Sequence, residues 1–201
     1  ADIFCVQEAF HARYRKHLID SVKKVYPYVS GPGKSGFKQC SGLLIFSKFK
    51  IRSTEFSYFT NTNGIDRIAN KGIQIAEVVK DSVPFIIGNT HLQAGRSEKS
   101  CINRIYQYRR IKLMLNSRSD LNYWVAGDFN TCVDSVEMQA LRACLSSCEA
   151  DTVNCSEKCT SNFSDNGLYE ATGAVPRRID FIFKDNLSDW TRTKHVIERP
   201  K

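Results

Sequence analysis

A chain of 201 residues, 42% hydrophobic and 25% charged, is long enough to bury one sizeable core and too mixed in composition to be disordered, collagen-like or coiled-coil. Its formal net charge of +8 favours an anionic partner: a nucleic-acid backbone, an acidic membrane surface or a phosphorylated substrate. No apolar run approaches the roughly 20 residues that cross a bilayer, so a membrane-spanning protein is not expected.

The opening segment 2–6 is a short apolar run after its Asp2 and ends in Gln7-Glu8, which predicts a strand. Residues 9–26 then carry Phe10, Tyr14, Leu18, Val22 and Val25 at helical spacing, and Gly31-Pro32-Gly33 makes 27–36 a loop. From there the period is that of strands, over 43–46, 51–56, 72–79 and 85–90, expected as antiparallel neighbours. A basic helix over 102–116 follows, then a strand at 123–126, a helix over 135–145, a loop rich in Cys, Ser and Asn, and a last strand at 179–183. Two packed sheets with helices outside are expected, a layered α/β (or α+β) domain spanning residues 1–201. The basic clusters at 48–52 and 104–112 read as solvated faces, and Arg104, Gln107 and Arg110, on one side of their helix, as structural or surface-charge positions.

Two features bear on context. The chain begins at Ala1 without an initiator Met or a signal segment, which reads as a cut within a longer polypeptide. Eight cysteines, four of them at 144, 148, 155 and 159, point to disulfides and an extracellular or lumenal setting. Zinc is the alternative, poorly suited by three-residue gaps without neighbouring histidines. Sequons at Asn154, Asn162 and Asn186 agree with a secreted loop.

The candidate chemistry stands where strands end. Glu8 follows the first apolar run, His91 the run to Asn89, Asp128 and Asn130 the run to Ala126, and Asp180 lies in the last. Singly, each has an ordinary reading, a solvated strand terminus for the acids and a satisfied structural group for His91. Together they match the needs of phosphodiester hydrolysis: a deprotonated water held in line, donors or a cation on the developing charge, and an acid near the leaving oxygen. Mg²⁺, or Mn²⁺ in its place, takes oxygen ligands while keeping waters and open positions for phosphate, and Glu8 suits that role.

Four segments, Asp2-Ile3-Phe4-Cys5-Val6-Gln7-Glu8, Asn89-Thr90-His91-Leu92, Gly127-Asp128-Phe129-Asn130 and Arg178-Ile179-Asp180-Phe181, resemble successive motifs of the endonuclease/exonuclease/phosphatase superfamily, in the family's order. Within it the chain is most similar to neutral sphingomyelinases, through Leu92-Gln93-Ala94 after His91 and the segment from Asp66 through Lys71-Gly72. The resemblance implies a deoxyribonuclease/sphingomyelinase-like sandwich that hydrolyses sphingomyelin to ceramide and phosphocholine with Mg²⁺, peripherally at a membrane surface. It makes Glu8 the metal ligand, His91 a donor to the phosphoryl group, Asn130 a donor to substrate phosphate, and Asp128 the group that orients water or protonates the leaving oxygen. Asp180 would organise the site from behind, and Asp66 and Lys71 would shape the substrate's approach. Inositol polyphosphate phosphatases match less well; abasic-site endonucleases and deoxyribonucleases keep nucleic acid open as a substrate.

The chain departs from the family at both ends. It starts after the strand whose Asn joins the Glu at the metal, and it lacks the closing Ser-Asp-His whose His is the general base. His195 is a poor substitute, because residues 194–200 resemble the stretch preceding that triplet. Two readings follow: a fragment of an active enzyme cut at both ends, or a non-catalytic remnant that serves as a binding module.

Overall fold

The computed structural model describes residues 1–33, 36–145, 147–149, 159–161 and 177–185. The loop sequons, His195, Cys148's side chain and Cys155 lie outside the described residues. Two sheets are present among the described residues. The smaller is antiparallel, with β3 (Leu44–Ser47) between β1 (Ile3–Val6) and β2 (Tyr28–Ser30). The larger has six strands, in the order β4 (Lys50–Tyr58), β5 (Gly72–Lys80), β6 (Val83–His91), β7 (Tyr123–Asp128), β9 (Asp180–Asp185) and β8 (Ser147–Glu149). Its neighbours are antiparallel except β6 and β7, which run parallel because α2 (Glu98–Asn116) carries the chain back over the sheet.

The central strands are covered on both faces, and period two sorts their side chains. Ile73 and Ile75 of β5, Ile86 of β6, Val125 of β7 and Phe181 and Phe183 of β9 meet Tyr108, Ile111 and Leu115 of α2 and Met138 and Leu141 of α3 (Val136–Leu145). Ala76, Val78, Phe85 and Ile87 point the other way, into a smaller core shared with Ile45 of β3 and half-buried Ile3 and Trp124. The two-sheet sandwich with outer helices expected from the sequence is therefore the observed architecture.

Several local expectations are corrected. The strand at 43–46 is not a neighbour of 51–56 in one sheet, because the chain crosses between sheets at Lys48-Phe49. Residues 28–30, read as loop after Pro27, form β2, since pairing with β3 supplies backbone partners that three residues could not find locally. The first helix, α1, is Ala12–Val22 and begins later than expected, because Glu8 takes a left-handed φ of 60° and its carbonyl accepts from the Phe10 N–H at 2.7 Å in a tight turn. The basic helix α2 starts earlier, at Glu98, with the Ser97 hydroxyl capping the Ser100 N–H at 3.2 Å.

Arg104 takes the structural one of its two expected roles, and it is not part of a solvated face. It is 2% exposed, and its guanidinium grips Glu137 of α3 through two bonds of 2.9 Å while donating to the Gln93 and Gly95 carbonyls at 2.8 Å. Gln107 is buried as well, and only Arg110 of that trio is exposed, with its Nε on the Ser57 hydroxyl. The helix face they share is thus structural, and only partly a solvated charge. Six cysteines, Cys5, Cys40, Cys101, Cys132, Cys144 and Cys159, are free thiols, so among the described residues the expected disulfides are not seen.

Candidate active site

Register brings the strand-end residues into one row. His91 is the partner of Asp128 across the parallel β6–β7 pair, and Asp128 the partner of Asp180 across β7–β9. Three residues separated by up to 89 positions therefore occupy adjacent places at one end of the sheet. Glycine makes the row possible: Gly127 sits at φ 155°, and a Cβ there would lie 2.1 Å from the Thr90 carbonyl oxygen of β6.

The smaller sheet delivers Glu8 to the same end. Asn89 of β6 donates to the Val6 and Leu44 carbonyls at 2.9 Å and accepts from Gln7 at 2.7 Å, which fastens the end of β1 beside His91. The left-handed turn at Glu8 then projects a 69% exposed carboxylate to 3.9 Å from His91 Nε2. Asp128 Oδ2 lies 3.6 Å from the same nitrogen, and Asp128 Oδ1 accepts from the Asn130 N–H at 2.8 Å. Asn130, itself left-handed at φ 49°, donates through Nδ2 to the Leu92 carbonyl at 3.0 Å.

Lys71, immediately before β5, comes alongside because β5 and β6 are antiparallel. Buried at 3% exposure, its ammonium reaches Asp66 Oδ1 at 2.9 Å, the Leu92 carbonyl at 2.8 Å and His91 Nε2 at 3.0 Å, one acceptor for each N–H. His91 Nε2 is thus an acceptor and the neutral ring carries its proton on Nδ1, which is buried with no hydrogen-bond partner. Asp66, in the 3₁₀ turn Gly64–Ile68, also receives the Ala94 N–H at 2.6 Å.

The electrostatics follow from burial and crowding. Burial, seconded by the Lys71 charge, pushes His91 down to about 3, and burial also lowers Lys71 against the opposing pull of Asp66. Asp128 is pushed up to about 7, first by burial and then by the Asp180 charge. Burial raises Asp180 too, with Glu8 adding to it and the Thr160 hydroxyl opposing. Thr160 also accepts the Ile179 and Asp180 N–H groups at 3.0 and 3.2 Å, a supporting role that nothing in its Cys- and Ser-rich neighbourhood signals in the sequence.

Glu8, Asp66, Lys71, His91, Asp128 and Asn130 line one cleft of about 320 Å³. Asp180 instead lines a larger, mainly apolar cavity of about 400 Å³ between the sheets, with Ile3, Cys5 and Trp124. The titratable groups converge in the smaller cleft, and Asp180 stands beside Asp128 in the sheet register. No three His, Cys, Asp or Glu side chains among the described residues converge to enclose an ion by themselves. Yet Mg²⁺ is commonly held by one or two carboxylates with water and phosphate oxygens completing the shell. An exposed carboxylate beside a buried, mutually repelling acidic pair fits such an open site.

The family model described as Endonuclease/Exonuclease/phosphatase family matches residues 1–197. Among curated proteins, a sphingomyelinase C of Leptospira interrogans is 29% identical over 157 residues, covering 68% of this chain and 28% of that protein. A sphingomyelinase C of Listeria ivanovii is 23% identical over 208 residues, covering 92% and 62%. The chain thus spans under two thirds of the length of these relatives. Among solved structures, sphingomyelinase C from Streptomyces griseocarneus superposes with a TM-score of 0.88 at 19% identity, over 99% of this chain and 76% of that one. A Staphylococcus aureus beta toxin variant with bound magnesium ions gives 0.86 at 22%, over 100% and 77%. D. rerio TDP2 complexed with a single strand DNA product gives 0.69 at 15%, over 92% and 70%.

Proposed function

The chain belongs to the endonuclease/exonuclease/phosphatase family, and from that premise we propose that it is a Mg²⁺-dependent phosphodiesterase that hydrolyses sphingomyelin to ceramide and phosphocholine at a membrane surface. The observation that carries the reading is the row His91, Asp128, Asp180 along one end of the sheet, with the Lys71 cation beside His91 and Glu8 brought to the same end from the other sheet. A bound Mg²⁺ supplies charge for the phosphate oxygens, and Glu8 is the residue that holds it.

The reaction breaks the bond from phosphorus to the ceramide oxygen and forms one to a water oxygen. A proton must leave the water, and one must reach the departing alkoxide. Asp128, pushed up to about 7, holds or releases a proton near neutral pH and serves at the leaving or attacking oxygen. Asn130 has one amide N–H on the Leu92 carbonyl and the other for a phosphate oxygen. Lys71 stabilises the developing negative charge as a buried cation. Donation from His91 to the phosphoryl group requires the tautomer with the proton on Nε2, which the ring can take once Lys71 releases that nitrogen, because Nδ1 has no hydrogen bond that holds the proton there. Asp180 keeps Asp128 protonatable, and Asp66 sets Lys71 in place.

The names of the relatives support sphingomyelin as the substrate. No helix among the described residues is long and apolar enough to cross a membrane, consistent with peripheral action. An extracellular or lumenal setting rests on the number of cysteines alone, since the six described ones are free thiols. A second reading, a nuclease of the same mechanism, is favoured by the +8 charge and the likeness to TDP2. Offering the protein sphingomyelin vesicles, phosphatidylcholine vesicles and abasic DNA with Mg²⁺ separates them. Phosphocholine release from sphingomyelin alone is expected, and scission of DNA without lipid turnover would replace the first reading by the second.

A further inference from the structure

Most exposed apolar side chains are scattered singly, as on any protein surface. Two of them share one wall and a third is close to it in the chain. Ile65 and Ile68 form part of the cleft wall yet are 78% and 59% exposed, and Phe37, at 111%, stands two residues before Gln39, which lines the same cleft. Its turn is held there through Gln39, which bridges to Ala69 in parallel, donates to the Ile68 carbonyl at 3.0 Å and accepts from the Asn70 N–H at 2.9 Å.

The rim is also cationic. Exposed Lys38 follows Phe37, and exposed Arg67 precedes Ile68. Beneath the tips the turn is firmly footed, since Asp66 is buried and bonded to both Lys71 and the Ala94 N–H. Apolar tips interleaved with long basic side chains settle at the headgroup boundary, the tips among acyl chains and the cations at phosphates.

We propose that Phe37, Ile65 and Ile68, with Lys38 and Arg67, form a docking rim that seats the mouth of the cleft on a phospholipid bilayer. The choice of a bilayer as the occupant rests on the lipid reading of the cleft: a diester whose acyl chains stay in the membrane reaches His91 and Asp128 only if the mouth faces it. Charge complementarity argues the same way, toward anionic headgroups.

The test is sedimentation with vesicles of phosphatidylcholine, with and without phosphatidylserine, in EDTA so that no turnover intervenes. Phe37→Ser with Ile65→Ser is expected to lower the partition coefficient at least about tenfold, the worth of one well-buried apolar side chain. Lys38→Glu with Arg67→Glu should abolish the gain given by phosphatidylserine. Val83→Ser, an exposed apolar position at the opposite end of β6 and about 26 Å from His91 along the strand, should bind as wild type. Wild-type-like binding by the Phe37→Ser, Ile65→Ser variant would overturn the proposal, as would a rim whose substitution dissolves a dimer and leaves vesicle binding intact. Rim-dependent binding without phosphocholine release in Mg²⁺ would support the docking surface while removing the reaction proposed for the cleft.

Discussion

Arg104 offers the sharpest structural perturbation. Its replacement by Met removes two bonds to Glu137 and two to the carbonyls of Gln93 and Gly95, which flank the Ala94 N–H that binds Asp66. Breaking a buried pair by removing one partner costs about 3–5 kcal/mol. Glu137 is 18% exposed and regains some water, which puts the expected loss near the lower bound, about 3 kcal/mol. For a chain of this size that corresponds to a fall in Tm of about 6–12 °C. Arg104→Lys, which keeps the charge but not the fork, should recover less than half of the loss. Removing both partners, Arg104→Met with Glu137→Met, should cost less than Arg104→Met alone, because no charge is left stranded. Thermal melts followed by circular dichroism decide the matter: a drop under about 2 °C for Arg104→Met, or a double variant worse than the sum of the singles, would refute the strut.

Two further predictions concern the row. The unfolded chain protonates His91 from pH 6.5 downward, whereas the fold resists until about 3, so this group makes stability fall as pH drops through that window. Asp128 acts oppositely, taking a proton in the fold from about 7 and in the unfolded chain only near 3.8, so it makes stability rise. Urea titrations in EDTA from pH 7 to 4 should show Asp128→Asn losing stability toward acid faster than wild type, at up to about 1.4 kcal/mol per pH unit, and His91→Gln with a slope of opposite sense; identical slopes in both variants would contradict the assignment. Gly127→Ala should cost at least about 3 kcal/mol through its overlap with the Thr90 carbonyl, whereas Gly64→Ala, left-handed at φ 58° with nothing within 4 Å, should cost about 1 kcal/mol. Equal urea midpoints for these two would show that backbone contact at Gly127 is not limiting.

Much of the site was legible because its acids, amide and imidazole stand where apolar runs stop, and strands that stop at one edge present their ends together. What the sequence could not show is the pairing that aligns them. The parallel register of His91 with Asp128 depends on α2 crossing over the sheet, and that of Asp128 with Asp180 closes a loop of 51 intervening residues. Arg104 was placed on the correct helix face, but spacing does not reveal whether a face is covered; here α3 covers it, with the partner Glu137 33 positions away. Lys71 carries no local signal beyond its place before Gly72, and its burial arises from the antiparallel run of β5 against β6. β2 was missed because three residues after a proline have no periodicity to read, and only β3 makes them a strand.

Phosphocholine release from sphingomyelin vesicles, measured with Mg²⁺ and with EDTA for the protein and for Asp128→Asn, tests the central claim most directly. Mg²⁺-dependent release that falls on the order of 10²–10⁴-fold in the variant is the predicted result. Release that survives EDTA, or that Asp128→Asn leaves undiminished, would contradict the assignment of this cleft as the catalytic centre.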